Sequence, residues 1–405
     1  MKKVCVEHLV PDMVLAKDVA GVDGSTVLEK GAALGEGAVH LLRELGQPLV
    51  YVRDRDPETE KRDLQRRVEQ HVRSFFAYVD PDNEAFVELF RLSVSRCAQA
   101  AATGWSIPCE FDLRAKNLES MKDLFFRDLG SPSDIVTHET ELASFPDIYF
   151  KIKEVLESPT SSAGDIAKVV STDMGLTAKL LKLVNSPFYG LTTNIDSISR
   201  AVSLIGLKEV STLALGISTI SFFKDIPSEL MDMKKFWKHS LSCGVFAKLV
   251  AGRVKLSGER FFTAGLLHDA GRLILLKQMS YASVQFLLFA REHQVPIVEA
   301  EREMLGYDHT DVGRLLLEAW RFPPFLTDLV AGHHSPAQAA TTREAAILQL
   351  ADNMANAAEI CSENMYVLPG MDRESWEEIG LSSGDLEEIM ALHDRNIDEL
   401  TAVFL

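Results

Sequence analysis

The spacing of apolar positions along this chain changes twice. Over residues 1–56 they come in short Val- and Leu-containing runs cut by Gly and Asp, as in "MVLAKDVAGVDGSTVLEKGAAL", the pattern of strands joined by tight turns. "GEGAVHLLRELG" then predicts one short helix stopped at Gly46, and "PLVYV" a returning strand. From Asp54 the text turns charged and proline-punctuated in "RDRDPETEKRDLQRRVEQ", which reads as a linker running into a solvated helix. "EAFVELFRLSVSRCAQAAA" and "NLESMKDLFFRDLG" return to helical spacing, and "GSPSD" marks a boundary. From Ile135 onward "AGDIAKVVSTD", "GLTAKLLKLVNS", "SISRAVSLIG" and "LKEVSTLALGISTISFF" follow in quick succession, each ended by Gly, Asn, Pro or Asp. The expected fold is therefore mainly α. A small β-rich module covers 1–56, a helical connector that could mediate a homodimer covers 57–130, and an all-α domain covers 131–405.

Composition narrows the function classes. With 405 residues, 46% hydrophobic and 25% charged, the chain can bury a sizeable core without a metal or disulfide to hold it. A net charge of -17 argues against a general nucleic-acid surface, which runs on clustered Lys and Arg. The five cysteines, Cys5, Cys97, Cys109, Cys243 and Cys361, are scattered and form no CxxC pair, a usage that fits a reducing compartment. "MKKVCVEHLVPDM" lacks the apolar stretch of a signal peptide, and no run of ~18 apolar residues offers a membrane span, so a cytoplasmic location is expected.

The candidate chemistry lies in the second half. His239 sits in "FWKHSLSCGVFAKLVA", His268 and Asp269 in "AGLLHDAGRLILL", and His309 at the start of "HTDVGRLLLEAW". His333 and His334 close "FLTDLVAGHH", and Asp352 lies among small and apolar residues in "AAILQLADNMANAAEI". Imidazoles with carboxylates suit Zn, Mn or Fe(II), nitrogen donors fixing geometry while carboxylates neutralise charge. An adjacent His–Asp pair can serve two ions, the carboxylate bridging them while the imidazole ligates one, and two such ions can activate water and clamp a phosphoryl group. A bland reading stands beside this one. An ionised Asp269 between "AGLL" and "LILL" costs several kcal/mol to bury unpaired, and Arg272 at i+3 or a histidine could meet it as readily as a metal.

Other residues read as structural. His8 and His40 are isolated, and His71, His138, His293 and His393 are lone. In "NSPFYG", Asn185, Pro187 and Gly190 look like turn and cap residues. Cys243, one turn after His239, could face the same site, although a small buried thiol is the commoner outcome. Trp237 and Trp320 read as packing residues, and Arg253, Lys255 and Arg260 form a minor basic patch.

The order His, His-Asp, His, His-His, Asp resembles the HD superfamily of metal-dependent phosphohydrolases and its HD-GYP branch. Residues 135–340 resemble more closely the HDOD domain, the HD-related output domain of bacterial signalling proteins. The stretches that carry this are "LASFPDIYFKIKEVLESP", "TDMGLTAKLLKLVNSPFYG", "SISRAVSLIGLKEVSTLALG", "FWKHSL", "AGLLHDAGRLIL", "LGYDHTDVGRLLLEAWRFP" and "VAGHHSP". Residues 8–53 resemble the small module ahead of many HD-GYP domains, through "HLVPDMVLAKDV", "LEKGAAL" and "PLVYV". The resemblance implies an HD-like core from about residue 233, with helices 135–225 packed beside it. It also implies metal ligation by His239, His268, Asp269, His309, His333, His334 and Asp352, holding two divalent ions, with Fe or Mn favoured and Zn an option. HDOD domains are commonly degenerate relatives; this chain keeps the whole set. It departs from the HD-GYP branch after the double histidine, where "HHSPAQAATTRE" has neither the expected Glu nor a Gly-Tyr-Pro loop, and it has Arg272 where that branch has Lys. The distance from there to Asp352 is also short.

The function so implied is bacterial signal transduction, with a metal centre of structural or sensing role and signalling proteins or a nucleotide as partners. The alternative is a metal-dependent phosphohydrolase acting on a nucleotide or a cyclic dinucleotide such as cyclic di-GMP, with Asp269 bridging the ions and Arg272 binding substrate phosphate. A third option is a metal-free scaffold in which Asp269 pairs with Arg272 or a protonated histidine.

Overall fold

The computed structural model describes residues 1–10, 12–21, 24–54, 56–108, 131–142, 147–158, 160–223, 226, 230–362 and 366–405. The expected helix "NLESMKDLFFRDLG", Cys109 and the side chain of His138 lie outside the described residues. By contact the described chain falls into two units: 1–75, 93–108 and 360–362 in one, and 76–92, 131–359 and 366–405 in the other.

In the first unit, alternation puts the valines of two short runs on one face. Lys2–Cys5 pairs antiparallel with Leu49–Val52, in register from Lys2 opposite Val52 to Cys5 opposite Leu49. Met13–Val14 pairs with Ala33–Leu34, and Val19–Ala20 with Thr26–Leu28. The helix Glu36–Glu44, ended before Gly46 at φ +62°, adds Val39 and Leu42 to a core with Val4, Leu15, Leu34, Val50 and Val52. Each such side chain contributes roughly 1.5–3 kcal/mol on burial, which strands this short need in order to persist. The long helices Pro57–Phe75 and Glu84–Ala102 follow.

Among its described residues, every regular element of the second unit is a helix. Its axis is the helix Met233–Arg253, buried through Phe236, Trp237, Leu241, Phe246 and Val250, and packed against Gly258–Leu267, Thr342–Glu359 and Ser383–Phe404. Among the described residues, no single helix is long and apolar enough to cross a membrane. The fold is mainly α with a small β-bearing N-terminal part.

Two glycine contacts decide how closely the helices approach. A Cβ added at Gly265 would stand 2.5 Å from the Gly244 nitrogen, and one at Gly271 would stand 2.0 Å from the His309 carbonyl oxygen and 2.6 Å from the Gly313 nitrogen. Helix Gly258–Leu267 therefore touches Met233–Arg253 backbone to backbone, and Ala270–Gln278 does the same with His309–Ala319. Any larger residue would hold these pairs apart.

The "NSPFYG" segment is a latched turn, as its composition predicts. Asn185 closes it, donating Nδ2–H to the Ile195 carbonyl and accepting the Ile195 N–H, both at 2.7 Å. His393 is buried: it stacks on Phe246 with ring centroids 4.0 Å apart and bonds Ser242 through Nε2 at 2.6 Å. Trp237 and Trp320 are buried as packing residues.

Candidate metal centre

"AGLLHDAGRLILL" does not fold as one helix. Gly258–Leu267 ends at His268, and Ala270–Gln278 begins after Asp269, so the pair occupies the junction. His268 turns its Nδ1 back onto the Gly265 carbonyl at 2.7 Å, and Arg272 N–H bonds the Asp269 carbonyl. Both side chains are thereby directed the same way. Both are buried, at 0% and 3% exposure.

His309 enters from a second junction. Gly306 at φ +78° ends the helix Ile297–Leu305, and Asp308 caps the next helix by accepting Thr310 N–H at 2.7 Å, with Asp311 completing a capping box. His333 and His334 follow the end of helix Pro324–Gly332, while His239 and Asp352 project from the long helices Met233–Arg253 and Thr342–Glu359. All seven residues singled out in the sequence converge in one place. Their rings form a chain: His239 to His268 at 5.4 Å, His268 to His333 at 5.2 Å, His333 to His309 at 5.4 Å and His309 to His334 at 5.0 Å between centroids.

The donor atoms fall into two groups, His239–His268–Asp269 and His309–His333–His334, each within 4.8 Å. Asp269 touches both: its Oδ1 lies 3.6 Å from His268 Nε2 and 3.2 Å from His309 Nε2. Asp352 Oδ1 stands 3.1 Å from His239 Nε2 and 3.6 Å from His268 Nε2. Two donors held at ~2.1 Å from one ion lie about 3.0–3.4 Å apart, by the geometry of octahedral and tetrahedral shells. The four carboxylate–imidazole spacings require shifts of only a few tenths of an ångström to reach it.

The hydrogen bonds give the decisive test of fit. His268, His309 and His333 have their Nδ1 atoms engaged, by Gly265 O, Glu301 Oε2 and Val330 O respectively. Each therefore carries its proton on Nδ1 when neutral, and each Nε2 is a buried lone pair without a hydrogen-bond partner. Three such nitrogens in one small volume are costly unless a proton facing Asp269 or Asp352, or a Lewis acid, meets them. The residues fit a divalent metal.

Electrostatics point the same way. Burial opposes the charged form of Asp269, but Arg272, at 2.5 Å from Oδ2, with His268 and His309 holds its carboxyl well below the usual range. Asp352 is likewise held ionised against burial, by its hydrogen bond with His239 and by the nearby His268 ring. Burial, then His268 and His309, depresses His333 to about 4, and burial with His333 and His309 drives His334 well down. Burial also disfavours the imidazolium of His239, yet Asp352 and Glu359 outweigh it and raise the group to about 9. Against burial, Cys243 and Asp269 raise His268 well above the ordinary imidazole value, and Glu301 and Asp269 raise His309, so only His333 and His334 are left neutral. The carboxylates that would keep a proton on His239 would equally attract a cation in its place.

The bland alternative is present in part, because Arg272 does pair with Asp269. It engages only Oδ2 and leaves Oδ1 to the imidazoles. Cys243 is fully buried and its thiol meets His268, so it does face this site. Sequence reasoning passed over Glu301, Glu359 and Asn356. Asn356 donates to Asp352 Oδ1 at 2.8 Å, Glu359 stands 3.3 Å from His239 Nδ1, and Glu301 holds His309. A signal existed: Glu301 shares the inward face of its helix with Ile297, Val298 and Ala300, an anomalous place for a carboxylate.

His239, Asp269, Arg272, His309, His334 and Asp352 line a cavity of about 40 Å³, with Ile297, Val298, Val367 and Pro369 among its apolar neighbours. At ~10–15 Å³ for each occupant centre this admits roughly three water-sized groups.

The family model for the HDOD domain matches residues 142–336, which include every singled-out residue except Asp352. An uncharacterized protein of Treponema pallidum (strain Nichols) is 24% identical over 200 residues, covering 48% of this chain and 38% of that protein, so the chain spans about two fifths of that relative's length. A crystal structure described as a candidate phosphohydrolase from Shewanella amazonensis SB2B superposes with a TM-score of 0.52 at 22% identity, covering 67% of this chain and 98% of its own. A candidate signal transduction protein from Marinobacter aquaeolei VT8 gives 0.53 at 21% identity, covering 71% and 64%. At these identities the structural likeness is one of fold. Residues 142–336, just under half of the chain, thus match the HDOD domain.

Proposed function

We propose that this is a regulatory HDOD protein of bacterial signal transduction whose helical unit holds a di-metal centre that recognises a small ligand. His239, His268, Asp269 and Asp352 would hold one ion, and His309, His333, His334 and Asp269 the other. The observation that carries this is the set of three buried Nε2 lone pairs on His268, His309 and His333, each fixed by a hydrogen bond at the opposite ring nitrogen. Divalent ions, when bound, supply Lewis acidity and a template for an oxyanion. The chain's own residues do the rest. Asp269 and Asp352 neutralise charge, Asn356 keeps Asp352 oriented, and Arg272 fixes Asp269 while offering a guanidinium to the cavity. Residues 8–53 would act as the HD-GYP-type module ahead of this domain.

A second reading, a metal-dependent phosphohydrolase, is favoured by one feature: His239, Asp269, His309, His334 and Asp352 line a cavity with room beside them for a further group. The test of both begins with elemental analysis of the untagged protein beside Asp269→Ala. About two equivalents of Fe, Mn or Zn in the wild type, lost in the variant, support the centre; metal that is substoichiometric and indifferent to the mutation removes it. Phosphodiester and phosphomonoester turnover by the loaded protein then separates hydrolase from sensor.

A further inference from the structure

The imidazoles are not backed equally. His268 and His333 donate Nδ1–H to backbone carbonyls, each at 2.7 Å. His309 instead gives its Nδ1–H to a carboxylate, Glu301 Oε2 at 2.6 Å, and its backbone N–H bonds the same oxygen at 2.9 Å. Glu359 approaches His239 Nδ1 less closely, at 3.3 Å, with 16% of its own side chain exposed where Glu301 has none.

We infer that Glu301 is a positioning residue that makes the His309–His333–His334 position the tighter of the two metal positions. It rests on the metal centre proposed above. A full negative charge on Nδ1–H makes Nε2 a stronger donor than a carbonyl can, and fixes tautomer and ring orientation together. The paired bonds to backbone and ring of one residue lock His309 where its Nε2 faces Asp269 Oδ1. The buried Arg272 guanidinium feels part of the Glu301 charge, yet the hydrogen bonds of that carboxylate both go to His309. Glu301 is fully buried, its Oε1 has no hydrogen-bond partner, and its neighbours on that face are Ile297, Val298 and Ala300. An apolar residue there would pack at lower cost, whereas a carboxylate facing a cation through an imidazole is compensated.

The experiment uses the full chain, stripped of metal and titrated with Co²⁺, whose visible absorption reports each shell as it fills. Glu301→Gln keeps the size and an acceptor oxygen but removes the charge. We expect two binding events in the wild type and, in the variant, a ten- to hundred-fold loss of affinity at one of them, with the other unchanged. Glu359→Gln should lose less. The metal-free thermal midpoints of wild type and Glu301→Gln are compared so that a general loss of structure is not mistaken for a lost ligand. If the glutamine variant does not fold, Glu301→Asp, which keeps the charge but draws it back by one methylene, should show the same single-position loss in milder form. Wild-type affinity at both positions in the substituted protein, or equal loss at both, overturns the role of Glu301 and leaves the centre standing. No Co²⁺ uptake by the wild type removes the centre itself, and the inference with it.

Discussion

Replacing Gly271 by alanine tests the physical basis of the site without touching any proposed ligand. The new methyl carbon would start 2.0 Å from the His309 carbonyl oxygen and 2.6 Å from the Gly313 nitrogen. Relief to an ordinary carbon–oxygen distance of about 3.3 Å means parting the two helices by more than an ångström. Both contacts are backbone, so no side chain can swing away. Overpacking of this kind costs roughly 1–3 kcal/mol, and for a unit of this size each kcal/mol lowers the midpoint by ~2–4 °C. A fall of about 2–12 °C is therefore expected by differential scanning calorimetry. The displacement also passes to the site. Asp269 lies two residues before Gly271, and His309 owns the obstructing carbonyl, so their 3.2 Å Oδ1–Nε2 separation opens beyond the ~3.0–3.4 Å that two donors on one ion require. Metal uptake should drop together with stability. Gly252→Ala is the control: nothing lies within 4 Å of its added Cβ, and a helical Gly→Ala exchange there should be neutral or raise stability by up to ~1 kcal/mol. A Gly271→Ala protein that melts and binds metal like the wild type would refute the close-contact account of how Asp269 meets His309.

Two other expectations are independent of the metal. Asn185→Ala removes both bonds that close the loop onto Ile195, itself buried, and should cost roughly 2–3 kcal/mol, read as a midpoint lower by about 5–10 °C; a change below ~1 °C would show the latch to be incidental. In the first unit, burial and then Arg67 depress His8 to about 4, and burial and then His8 depress His71 to about 4. Both are neutral when folded, while the unfolded chain takes up protons near 6.5, so this contribution is complete above pH 6.5 and is lost as pH falls toward 4. Urea unfolding at pH 7 and pH 5 should show a loss of roughly 1–2 kcal/mol per histidine, lessened in His71→Leu; an unaltered pH dependence in that variant would discount His71 as its source.

The helices and the short strands of the first unit were readable because periodicity and capping are local properties. Glycine and proline punctuation placed the ends of Glu36–Glu44, Ala163–Val170 and Ile198–Ile205 close to where the structure has them. The residues later found together could also be named in order, since a carboxylate or imidazole among Leu, Ile and Ala is conspicuous anywhere in a helical text. Geometry was not readable. Nothing in "AGLLHDAGRLILL" says that the helix breaks at His268 and Asp269, because the break depends on Gly271 seating against a backbone distant in sequence. His393 looked incidental and is a buried contact between two helices, while Glu301, also buried, was passed over.

By itself, then, the sequence determined the helical class, the punctuation of its elements and an inventory of nitrogen and oxygen donors. Only the tertiary structure decided which donors meet, which ring nitrogen each histidine keeps free and which carboxylate stands behind it. Those depend on contacts between backbones far apart along the chain, where the presence or absence of a single Cβ sets the distance, and no local propensity encodes that.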